Sequence, residues 1–69
     1  MSMRQEIVSS LLDDPVISSL AYHYNDVEDY GVFDALEDEL ERSGYDPSLA
    51  GDLVILAGRR ERQEEDLEL

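Results

Sequence analysis

The chain has no cysteine and no lysine, and only two prolines and one histidine. Without cysteine there can be no disulfide framework, thiolate metal site or thiol nucleophile, and the redox compartment is left open. A chain of 69 residues must then draw its stability from packing, from a bound ion or from a partner chain. No apolar run approaches the ~20 residues that span a bilayer, and Met1-Ser2-Met3-Arg4-Gln5-Glu6 lacks the long apolar stretch of a secretory signal. The chain therefore reads as soluble and cytoplasmic. Five arginines stand against 18 acids, for a formal net charge of −13. Nucleic-acid backbones and anionic lipid headgroups both repel such a chain, so neither is expected as a direct partner. A basic protein surface is. The length supports one domain that buries only ~60% of its unfolded surface, which leaves no room for a cofactor domain beside a substrate domain.

What is present is organised by the prolines. Asp13-Asp14-Pro15 and Tyr45-Asp46-Pro47 each place an acidic N-cap before a proline at the first helical position, where its missing N–H costs nothing. Ahead of the first, Met3, Ile7, Val8 and Leu11 share one helical face over residues 2–12. After it, Ile17, Leu20, Ala21 and Tyr24 repeat the spacing. Phe33, Leu36 and Leu40, with Val32 at the edge, predict a third helix from about Gly31 to Arg42, closed by Ser43-Gly44 with glycine in the left-handed conformation. From Pro47, Leu49, Leu53, Leu56 and Ala57 form a face widened by Val54 and Ile55. The run Leu53 to Ala57 has no strand to pair with, so it is read as the most buried helix. The expected fold is all-α: a small bundle of four or five short helices over residues 1–62, which dimerisation could complete, with an acidic, fraying tail at 63–69.

The charge is not evenly spread. Residues 25–47 carry −8 of the net charge, and Asp26 to Glu41 hold eight acids and no base. On the third helix Asp34, Glu37, Asp38 and Glu41 lie opposite or beside the apolar stripe and form one ridge. Like charges at i,i+3 and i,i+4 destabilise a helix by a few tenths of a kcal/mol per pair, so a sequence shaped for stability alone would interleave cations. Carboxylates four residues apart are separated by ~6 Å along a helix axis, close to the spacing of neighbouring phosphates. Solvated acids adapted to a high-salt cytoplasm are the competing explanation.

Tyr22, Tyr24, Tyr30 and Tyr45 add aromatic surface. Tyr24 belongs to the apolar face. Tyr22 points about 140° from Ile17 and is expected to be exposed, and Tyr30 and Tyr45 sit at helix ends beside acids. Tyrosines among carboxylates suit an arginine-rich groove. His23 has Ser18, Ser19 and Asp26 near it but no nucleophile motif, and reads as a helix-surface histidine. Arg59-Arg60-Glu61-Arg62 is the sole basic cluster, a subunit contact, an anion site or simply cations near a helix end.

One stretch, Asp26 to Glu37, resembles the twelve-residue calcium loop of the EF-hand family. Acids stand at its positions 1, 3, 9 and 12, glycine at 6 and an apolar residue at 8. It departs at position 5, where Tyr30 replaces an oxygen ligand, and Glu28 is longer than the usual aspartate. The resemblance implies Asp26, Glu28, Asp34 and Glu37 as ligands. No second loop matches, because Asp46 to Ala57 ends in alanine.

These features together predict a non-enzymatic interaction protein without a cofactor. It would bind the basic surface of a nucleic-acid-handling protein through Glu28, Asp29, Asp34, Glu37, Asp38 and Glu41, with Tyr22 and Tyr30. In charge and size it is similar to the DNA-mimic proteins of phages and mobile elements, anti-CRISPR and anti-restriction inhibitors among them. Two alternatives stand beside this: a salt-adapted structural subunit that docks or dimerises through Leu11, Leu49, Leu53, Val54 and Leu56, and the calcium-binding helix-loop-helix.

Overall fold

A computed structural model describes the backbone of residues 3–67 and the side chains of residues 3–63. Four helices follow one another: α1 (Met3–Leu11), α2 (Pro15–Val27), α3 (Tyr30–Arg42) and α4 (Leu49–Leu67). No strand occurs among the described residues, and the all-α bundle expected from the sequence is the fold.

Local chemistry sets most of the boundaries. The Asp14 carboxylate accepts hydrogen bonds from the backbone N–H groups of Val16 and Ile17 at 2.9 and 3.2 Å, with Pro15 opening α2. The second Asp-Pro pair behaves differently. Asp46 accepts from the Ser48 N–H at 2.9 Å, Pro47 lies in a turn, and α4 begins only at Leu49. The end of α3 is a Schellman motif, in which the Gly44 N–H bonds to the Glu41 carbonyl at 3.0 Å and the Tyr45 N–H to the Leu40 carbonyl at 2.8 Å. Gly44 takes φ 86°, a conformation that a Cβ would penalise. At its far end α4 continues to Leu67, so helical backbone extends into the segment 63–69 expected as a frayed tail. Ser2, where the first helix was expected to begin, and residues 68 and 69 lie outside the described residues.

Packing follows from the apolar faces. α2 packs on both α3 and α4, and α1 packs on α4. Leu36, Leu40 and Leu53 are wholly buried, as are Ala21, Ala50 and Ala57, whose small side chains let neighbouring helices approach. Val8, Leu11, Leu12, Ile17 and Leu49 complete the core, and the Tyr24 and Phe33 rings meet at 5.2 Å across α2 and α3. Asn25 donates from Nδ2 to the Val54 carbonyl at 2.8 Å and so pins the end of α2 to α4. At α1, Arg4 bonds Asp52 at 2.6 Å, while Arg60 reaches Ser9 Oγ at 3.3 Å and Asp13 at 3.7 Å.

Two expectations are corrected here. Leu11, Leu49 and Leu53 are buried in the chain's own core with Val54 and Leu56 packed against it, so they do not form an exposed docking face. Tyr22 is not exposed. It is half-buried against the core, because α2 lies between two helices and its buried arc is wider than one measured from Ile17 alone.

Replacing Leu36 with alanine should lower stability by about 2–5 kcal/mol, a cost large enough to unfold most of a domain this small. Ile55→Ala, at a side chain 56% exposed, should change it by less than about 1 kcal/mol. Thermal denaturation followed by circular dichroism checks both.

Candidate functional site

The acidic face is built on α3 by the same periodicity that buries its inner side. With Leu36 and Leu40 turned inward, a step of about 100° per residue places Tyr30, Asp34, Glu37, Asp38 and Glu41 within about 100° of one another. Asp34, Asp38 and Glu41 are exposed, and Tyr30 is 78% exposed at the N-terminal end of the row. Glu37 is half-buried on the flank toward Phe33 and Leu40. Glu39 lies on the opposite flank and pairs with Arg42 at 3.6 Å. Among the described residues Asp34, Glu37, Asp38 and Glu41 make no ion pair, so their charge is left to solvent or a partner.

The entry to α3 carries two more of the expected residues. Asp29 is the N-cap, and its carboxylate accepts the Gly31 N–H at 2.8 Å. Gly31 suits this cap, since a Cβ there would come within 3.2 Å of the Asp29 carboxylate oxygen. One oxygen of Asp29 is thereby engaged, while Glu28 is exposed and makes no side-chain bond among the described residues. Glu28 closes α2 at φ 54°, ψ 37°, in the left-handed region that favours glycine. Its N–H bonds to the Tyr24 carbonyl at 2.7 Å. Tyr30, Asp34, Glu37, Asp38 and Glu41 thus share one face of α3, with exposed Glu28 and Asp29 at the junction before it, and Tyr22 is the expected member that packs inward.

The calcium loop does not form. Asp26 and Val27 belong to α2, and α3 already begins at Tyr30, so only Glu28 and Asp29 separate the helices. The sharp turn falls on Glu28, whereas the glycine that should supply it, Gly31, is helical. Among the described residues no group of three or more potential ligands is gathered to hold a metal ion.

Elsewhere, His23 is exposed on α2 and its side chain makes no hydrogen bond among the described residues. Of the basic cluster, Arg60 is engaged by Ser9 and Asp13. Arg59 and Arg62 line an open groove of about 390 Å³ with Asn25, Val54, Ile55 and Gly58. A second groove, of about 200 Å³, lies between α1 and the α3–α4 turn, lined by Met3, Glu6, Ile7, Ser10, Leu11 and Tyr45. Met3 and Ile7, which share the apolar face of α1 with Val8 and Leu11, are exposed here. The available signal was that α1 has more apolar positions than one packing contact can cover. Beside this groove the Ser48 backbone N–H, helped by the Ser48 hydroxyl and the Arg4 charge, holds the Asp46 carboxyl below the usual carboxylate range.

No family description, curated protein or solved structure matches this chain. No helix among the described residues is long and apolar enough to cross a membrane.

Because a non-glycine residue in the left-handed region costs about 1–2 kcal/mol, Glu28→Gly should stabilise the fold by up to about 1 kcal/mol. Asp29→Ala should destabilise it by about 1 kcal/mol through loss of the cap. Denaturant midpoints of the two variants should therefore move in opposite directions.

Proposed function

We propose that this chain is a non-enzymatic interaction protein whose α3 edge docks on the positively charged surface of a nucleic-acid-handling protein and competes there with nucleic acid. The observation that carries the reading is the exposed row Asp34, Asp38 and Glu41, with Glu37 on its flank, which no cation among the described residues neutralises. Carboxylates four positions apart on α3 repeat every ~6 Å along the axis, a step a phosphate-binding groove accommodates. Tyr30 at the head of the row offers a ring on which a guanidinium can stack, and the Asp29 and Glu28 carboxylates extend the charge across the α2–α3 junction. Glu28 supports the reading further, since a charged residue stands where local energetics favour glycine.

An inhibitor of the kind encoded by phages and mobile elements, directed at a restriction or CRISPR complex, is the setting that fits this charge and size. The encounter would be fast and strongly weakened by salt, because long-range attraction between an acidic edge and a basic groove is screened within about 10 Å at 0.1 M salt. One observation favours a second reading, a salt-adapted structural subunit: no charged side chain is buried among the described residues and the chain has no lysine.

Affinity capture at low salt with the tagged chain, followed by elution with salt, separates the two. The wild-type chain should retain a nucleic-acid-handling protein that salt releases and nucleic acid displaces. The fourfold variant Asp34→Asn, Glu37→Gln, Asp38→Asn, Glu41→Gln should bind it about 100-fold more weakly, or roughly 0.7 kcal/mol per charge. Equal capture by the variant would defeat the proposal, and cooperative folding only above molar salt would support the second reading.

A further inference from the structure

The groove between α1 and the α3–α4 turn is an apolar feature that neither the core nor the acidic edge absorbs. Met3 is 77% exposed, Tyr45 44% and Ile7 37%, and all three line it above buried Leu11. Its walls are fixed from both sides. The Schellman motif that ends α3 holds Tyr45 one turn beyond Glu41, through the Tyr45 N–H bond to the Leu40 carbonyl at 2.8 Å. Arg4, bonded to Asp52 at 2.6 Å and to Ser48 Oγ at 3.4 Å, clasps α1 to the start of α4 and so keeps Met3 and Ile7 beside that turn. The acidic row on α3 ends at Glu41, one turn of chain before Tyr45 on the groove's lining, where Glu6 also stands.

Resting on the reading of α3 as a docking edge, we propose that this groove seats an apolar side chain of the same partner, whose contacting element is a basic amphipathic protein segment: arginines or lysines along α3, then one large apolar residue in the groove. Charge complementarity selects this occupant. Glu6 lines the groove beside Met3, Ile7 and Leu11, and Asp46, whose carboxyl stays ionised to lower pH than usual, follows the lining residue Tyr45 in the chain. No cation stands on the groove's lining, and Arg4 on α1 is engaged by Asp52. An apolar side chain flanked by cations meets every part of this surface. A second copy of the chain brings another −13 of charge to the same place, and a nucleic acid or an anionic lipid surface brings more of the sign already present. A pure phosphate imitator has no use for the groove, so its occupation distinguishes recognition of a particular protein segment from generic occupation of a phosphate channel.

A random-peptide display library selected against the immobilised full-length chain tests this. The enriched peptides should combine several basic residues with one apolar residue at a fixed end. Their affinity should fall about 30-fold on Ile7→Glu or Met3→Ser, the loss expected when one apolar anchor is no longer buried, and should also fall on Asp34→Asn with Asp38→Asn. Met3 is the more exposed of the two groove positions, so Met3→Ser gives the reading even where Ile7→Glu disturbs folding. Basic peptides that bind wild type, Ile7→Glu and Met3→Ser equally would overturn the groove proposal and leave the acidic edge standing. Enrichment of peptides without basic residues, or binding indifferent to Asp34 and Asp38, would overturn both.

Discussion

Burial of Leu36 and Leu40 is what allows α3 to exist with the outer face it has. Both side chains are fully excluded from solvent, and each such leucine stabilises by about 1.5–3 kcal/mol relative to exposure. On the opposite side Asp34, Glu37, Asp38 and Glu41 repel one another at i,i+3 and i,i+4 spacings, at a few tenths of a kcal/mol for each pair. The apolar term is several times larger, so the helix is held to α2 and α4 while its outer edge stays concentrated in one sign of charge. Without the inner stripe an acidic segment of this composition would have little reason to be helical.

The same balance shapes the ends of α3. Asp29 supplies the N-terminal cap that the helix needs, and it does so with a carboxylate that adds to the edge. Gly44 supplies the left-handed exit, which turns the chain back so that Tyr45 lands against α1. Glu28 is the exception, a residue in a conformation suited to glycine, and it stands at the head of the acidic edge. The needs of the fold and of the proposed docking edge agree at Asp29 and Gly44 and diverge at Glu28. That divergence makes the α2–α3 junction the most informative stretch of backbone in the chain.

Sequence periodicity revealed the ridge because an exposed helix edge depends only on local spacing and on which side is apolar. The capped start at Asp14-Pro15 was legible for the same reason. Asp46-Pro47 has the same form but makes an Asx-type turn before α4, since the path from the end of α3 to α4 also has to satisfy Arg4 and the packing of Leu49. Tyr22 packs inward because a helix between two neighbours buries more of its circumference than one apolar stripe indicates. Leu11, Leu49 and Leu53 lie in the chain's own core, and a sequence alone does not say whether an apolar face is covered by its own chain or by another. The calcium loop failed on length: acid spacing matched, but α3 starts too early to leave a loop.

The central claim is that α3 keeps its carboxylates together at a cost to its own stability. The direct test is the melting temperature of the fourfold variant Asp34→Asn, Glu37→Gln, Asp38→Asn, Glu41→Gln against wild type, at low ionic strength and at high salt. Relief of four like-charge pairs should stabilise the variant by about 1 kcal/mol, a rise of roughly 4–8 °C for a domain of this size, and salt should erase most of the difference. A variant that melts at the same temperature as wild type at low ionic strength, or below it, would contradict the account.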